Sequence, residues 1–153
     1  YIIHPIMVAL KLPKHGFSDE IIAAALTHDV LEDTDFGEGI LKQELSDEVF
    51  DIVKAVTNDE SLSWEDKKKK YIETVRNGNE GAKAVAVADK IHNLESLLMA
   101  YEKQGKDVWK NFNRGKDQKV WFENEVLKML KETWNHPLID EYQELIKQEE
   151  KLK

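Results

Sequence analysis

Apolar residues recur at three- and four-residue spacing along most of this chain. The clearest case lies behind Ser46, where Val49, Ile52, Val53 and Val56 fall on one face of a helix whose other faces are polar. Helix starts also stand at Ser18 and Ser63, each a capping residue with acidic residues in the turn after it. No stretch sustains period-two alternation of β-branched residues, and seven glycines punctuate the helical segments. The pattern predicts helices over roughly 4–13, 19–33, 38–44, 47–57, 64–77, 80–103, 107–112, 116–132 and 138–151. The expected fold is all-α, a helical bundle forming one domain over residues 1–153. The last helix carries Leu138, Tyr142, Leu145 and Ile146 on one face, which suits either a closing helix or a dimer contact.

The helix that begins near Asp19 runs through Ala23–Leu26, apolar on every face and expected to be buried. It then reaches Thr27-His28-Asp29-Val30-Leu31-Glu32-Asp33. In an unbroken helix Glu32 and Asp33 stand one turn beyond His28 and Asp29, so four titratable groups crowd one patch. Unpaired buried carboxylates are costly, and a divalent cation removes that cost. Imidazole with carboxylate suits manganese, iron or zinc. A His-Asp pair alone is a weak signal, more often a polar helix end than a metal site.

Two other segments strengthen it. His4 stands at the entry of the first helix beside Pro5, which fits a first turn. The small apolar run Ala84-Val85-Ala86-Val87-Ala88 abruptly admits Asp89. Small residues let backbones approach closely, so this helix can lie on the alanine-rich helix at 23–25 and bring Asp89 towards His28 and Asp29.

Tyr-Ile-Ile-His-Pro at 1–5, Ala-Ala-Leu-Thr-His-Asp-Val-Leu-Glu-Asp-Thr at 24–34, Val-Lys-Ala-Val-Thr at 53–57 and Ala-Asp-Lys-Ile-His-Asn at 88–93 occur in that order. The chain thereby resembles the HD-domain metal phosphohydrolases, and among them the (p)ppGpp hydrolase domains of RelA/SpoT type and the small alarmone hydrolases. The resemblance implies metal ligands at His4, His28, Asp29 and Asp89, usually holding Mn2+. It implies an acidic pair, Glu32 and Asp33, that positions or deprotonates the attacking water. It places Asn93 and Ser96 against the substrate's ribose and phosphates, with Tyr1, Lys90 and Arg114 as further substrate-binding positions and His92 structural. It also implies an additional helix and a basic segment ahead of Tyr1, outside this sequence. The implied reaction removes the 3′-diphosphate of guanosine tetra- or pentaphosphate as pyrophosphate. The alternatives are an HD-domain phosphohydrolase acting on NADPH or a nucleoside phosphate, and a nucleotide sensor without catalysis.

Composition narrows this further. There are no cysteines, so a metal must be held by nitrogen and oxygen. The net charge of −8 argues against a nucleic-acid partner. No apolar run approaches the ~20 residues of a membrane span, so a cytoplasmic setting is expected. Lys67–Lys70 read as a solvated helix surface or as a positive rim that attracts an anionic nucleotide. Trp64, Trp109, Trp121 and Trp134 are expected to pack a helical core rather than to stack on bases.

Overall fold

Three serines start three of the helices. Ser18, Ser46 and Ser63 accept from the backbone N–H of Ile21 (3.4 Å), Val49 (3.3 Å) and Asp66 (3.2 Å), each satisfying a donor that a helix start leaves open. The computed structural model describes residues 2–153 and contains only helices and turns among them. In order these are α1 (Ile3–Leu10), a 3-10 turn (Pro13–His15), α2 (Asp19–Thr27), α3 (Val30–Asp33), α4 (Glu38–Glu44), α5 (Asp47–Val56), α6 (Trp64–Asn77), α7 (Glu80–Gln104), a second 3-10 segment (Gly105–Asn111), α8 (Gly115–Thr133) and α9 (Pro137–Glu150). The fold is all-α, as the periodicity predicts.

The chain divides into two compact units, one running up to Asp89 and one from Lys90 to Lys153, the boundary falling inside α7. In the first, α1 packs on α2, α2 on α5 and α5 on α6. Val8, Leu12, Ala24, Ala25, Ile52, Val53 and Val75 form its interior, together with Ala82–Ala88 of α7. Each larger aliphatic side chain buried there is worth about 1.5–3 kcal/mol. Gly81 admits the start of α7 to this core, because a Cβ there would stand 2.6 Å from Ile52 Cδ1 and 3.0 Å from Ile21 Cγ1.

In the second unit α8 and α9 pack together through Phe122, Val126, Met129 and Leu130 on one side and Leu138, Tyr142 and Ile146 on the other. A polar pin crosses this interface. Tyr142 donates to the Glu123 carboxylate, and Lys119 bridges Glu123 (2.9 Å) and the fully buried Glu149 (2.8 Å).

Four expectations change. The helix predicted over 19–33 is broken at His28–Asp29. Thr27 Oγ1 donates to the carbonyl of Ala23 (2.8 Å) and His28 Nδ1 to that of Ala25 (2.7 Å), so side chains take acceptors of the last turn and α2 stops. The polypeptide restarts as α3, with Glu32 N and Asp33 N donating to the Asp29 carbonyl. Burial on every face also fails: Ala24 and Ala25 are buried, but Leu26 is 45% exposed. The segment expected as a helix over 107–112 is a 3-10 segment at Gly105–Asn111. The tryptophans lie at the margins of the core: Trp64, Trp109 and Trp134 are half-buried and Trp121 is exposed. Trp109 meets Tyr101 and Phe112, and Trp134 stacks on His136 at 4.5 Å.

Candidate metal centre

The break between α2 and α3 builds the site. Asp29, at φ −92° and ψ −3°, sits in the bridge region that lets the chain turn, and its side chain makes no capping bond. Its carboxylate instead points to two imidazoles, with Oδ1 3.1 Å from His28 Nε2 and Oδ2 3.4 Å from His4 Nε2. His4 reaches the same spot from the first turn of α1, where Pro5 costs no helical hydrogen bond. Asp89 enters from α7, with Oδ1 3.1 Å from His4 Nε2 and 3.7 Å from His28 Nε2. Ligand atoms of His4, His28 and Asp29 all lie within 4.8 Å of one another, and the two imidazole rings are 5.2 Å apart, tilted by 56°.

The donor chemistry of His28 decides what this cluster can hold. Only 4% of the residue is exposed, and its Nδ1 is committed to the Ala25 carbonyl. That bond fixes the proton on Nδ1 in the neutral ring and leaves the Nε2 lone pair facing the two carboxylates. Nε2 is buried and meets no hydrogen-bonding geometry. Without a cation the position takes a proton instead. Burial disfavours the imidazolium, but the adjacent carboxylates of Asp29 and Asp89 more than offset it and push His28 up to about 10. Two imidazoles and two carboxylates converging on one buried lone pair fit a divalent cation held by nitrogen and oxygen.

Glu32 and Asp33 follow on the single turn of α3. Glu32 is half-buried, whereas Asp33 is exposed. Glu32 also lines a cavity of about 590 Å³ with Leu31, Phe36, Asn58, Lys70 and Tyr71. Asn58 holds the Glu32 carboxylate and was not anticipated from the sequence. The visible signal is limited to the Thr57-Asn58-Asp59 cluster ending a helix, because a backbone N–H leaves no trace in residue type.

Lys90, Asn93, Ser96 and Arg114 belong to the second unit. Lys90 Nζ lies over the Phe122 ring at 5.4 Å, Asn93 and Ser96 are exposed on α7, and Arg114 is exposed at the start of α8. His92 is half-buried on α7. Tyr1 lies outside the described residues. In the lysine run, Lys67 pairs with Glu60 at 2.5 Å and Lys70 with Asp59 at 2.7 Å, so the loop before α6 offsets part of its charge.

A family model for the HD domain matches residues 1–118. The chain belongs to the HD-domain family. Membership implies a divalent metal, in keeping with the donor set of this HD domain. A zebrafish protein named guanosine-3′,5′-bis(diphosphate) 3′-pyrophosphohydrolase MESH1 is 40% identical over 99 residues, 63% of this chain. The chain spans about half of that relative, 55% of its length. A crystal structure of a protein from Listeria monocytogenes EGD-e superposes with a TM-score of 0.86 at 38% identity, covering 95% of this chain and 97% of that one. The structure of a metazoan orthologue of SpoT described as hydrolysing ppGpp superposes with a TM-score of 0.77 at 27% identity, covering 97% and 80%. No helix among the described residues is long and apolar enough to cross a membrane.

Proposed function

We propose that this HD domain is a metal-dependent 3′-pyrophosphohydrolase that converts guanosine tetra- or pentaphosphate to GDP or GTP. His4, His28, Asp29 and Asp89 hold its metal, manganese. The observation that carries the metal reading is the buried Nε2 lone pair of His28, facing Asp29 and Asp89 with Nδ1 already engaged. The substrate reading draws its support from the names of the zebrafish and SpoT-type relatives.

A divalent metal held by these four residues would acidify water and screen the negative oxygens around phosphorus. The protein's own groups supply the rest. Glu32 accepts the proton of the attacking water as general base, and the exposed carboxylate of Asp33 beside it orients that water. The new bond joins the water oxygen to phosphorus. The bond from phosphorus to the ribose 3′-oxygen breaks, and that oxygen takes a proton from solvent, to which Glu32 returns the one it accepted. Lys90, Asn93, Ser96 and Arg114 contact ribose and phosphates on the strength of the resemblance alone, and the setting is cytoplasmic. The test is turnover of guanosine tetraphosphate with and without manganese, followed as pyrophosphate release. Turnover of NADPH or another nucleotide in its place would keep the metal site and replace the substrate.

A further inference from the structure

Glu32 stands on α3, a single helical turn, and one turn is too short to be stable by itself. Thr34 closes that turn by donating to the Val30 carbonyl at 2.7 Å, which steadies the backbone and leaves the Glu32 side chain unrestrained. The restraint comes from a distant segment. After α5 ends, Thr57 N and Oγ1 both bond the Val53 carbonyl (3.0 and 2.7 Å), and an extended Thr57 carries the chain to Asn58. The Asn58 backbone N–H donates to Glu32 Oε1 at 2.5 Å. Its Nδ2 donates to Oε1 at 3.1 Å and to Oε2 at 3.3 Å.

Asn58 supplies every hydrogen bond that the Glu32 side chain receives among the described residues. The Asn58 Oδ1 is buried without a partner, a state that costs about 1–3 kcal/mol. Flipping the amide would press that oxygen against the carboxylate and lose both donors, so the contact with Glu32 fixes the orientation. Other charged groups line the same cavity, and Lys54 and Lys70 among them are paired with Glu38 (2.9 Å) and Asp59 (2.7 Å).

We propose that Asn58 is a positioning residue for Glu32. It clamps Oε1 with two donors and reaches Oε2 through one longer bond only, so Oε2 is the oxygen that receives the proton. This rests on Glu32 acting as the general base.

The experiment compares Asn58→Ala and Asn58→Asp with Glu32→Gln in the manganese-loaded protein. It measures kcat, KM and metal affinity with guanosine tetraphosphate, and follows the Glu32 carboxyl carbon by NMR titration of the metal-free chain. Asn58→Ala keeps the backbone bond and lowers kcat about tenfold, with KM and metal affinity unchanged. Asn58→Asp sets a carboxylate against Glu32, lowers kcat about a hundredfold and moves the Glu32 titration to higher pH. Unchanged kcat in both Asn58 variants, with Glu32→Gln inactive, overturns the role of Asn58. Loss of metal together with turnover overturns it too, by showing a merely structural part. Full turnover by Glu32→Gln, or none by the parent chain, counts against the underlying reading instead. The NMR titration then decides for Asn58 alone: a Glu32 signal unmoved in Asn58→Asp overturns the clamp.

Discussion

His4 Nε2 on α1 and Asp89 Oδ1 on α7 stand 3.1 Å apart, although they come from opposite ends of the first unit's sequence. Small residues are buried on the helices around them. Ala24 and Ala25 are buried on α2, Ala82, Ala84, Ala86 and Ala88 are buried on α7, and Gly81 stands where a Cβ has no room. The site depends on how closely these helices approach, so its geometry responds to changes far from any charged group.

Gly81→Ala tests this dependence. The added methyl meets Ile52 and Ile21 inside van der Waals contact, and overpacking of this kind costs about 1–3 kcal/mol. The expected result is a melting temperature lowered by several degrees, with weaker metal binding because α7 carries Asp89 with it.

Asp29→Ala and Glu32→Ala separate the roles of the acidic groups. Asp29→Ala removes the carboxylate nearest His28, and loses metal and turnover together. Glu32→Ala keeps the metal and loses turnover by about 10²-fold or more. Metal titration by calorimetry beside turnover measures both, and equal metal loss in the two variants contradicts this division.

Metal uptake releases protons. His28 is pushed up to about 10 in the metal-free chain, above its ordinary 6.5. Its stabilising contribution is therefore fully present below about 6.5 and lost as pH rises through about 10. At neutral pH a metal must displace that proton, so about one proton per metal appears in weakly buffered solution and affinity strengthens as pH rises. Metal binding without proton release contradicts a His28 ligand.

Glu149 gives the same sign in the second unit, at lower pH. Burial raises its carboxyl above 4.5, and the Lys119 ammonium offsets this only in part. The folded state therefore holds the proton more tightly than the unfolded chain, and stability falls as pH rises from 4.5 through the folded value. Glu149→Gln removes the titration while keeping an oxygen for Lys119. Urea unfolding from pH 4 to 7 is expected to show a flatter stability profile in the variant than in the parent.

The helices were legible where one residue type does one job. Ser18, Ser46 and Ser63 each mark a start, and the face of Val49, Ile52, Val53 and Val56 is buried as its spacing requires. The break at His28–Asp29 was not legible, because nothing in Ala25–Asp33 is a helix breaker. It arises from Thr27 and His28 side chains competing for backbone carbonyls, and from Asp29 turning towards His4 and Asp89. The convergence of His4, His28, Asp29 and Asp89 could be suspected from their motifs and the small residues between them. Asn58 could not, since its strongest bond to Glu32 comes from a backbone N–H. The tryptophans misled because aromatic rings serve the margin of a small bundle as well as its centre.

The most direct test of the central claim is pyrophosphate release from guanosine tetraphosphate, with and without manganese, with NADPH run in parallel. Manganese-dependent release of pyrophosphate with formation of GDP is the predicted result, abolished in Asp29→Ala. No release from guanosine tetraphosphate by metal-loaded protein that does hydrolyse NADPH, or that binds nucleotide without turning it over, would contradict it.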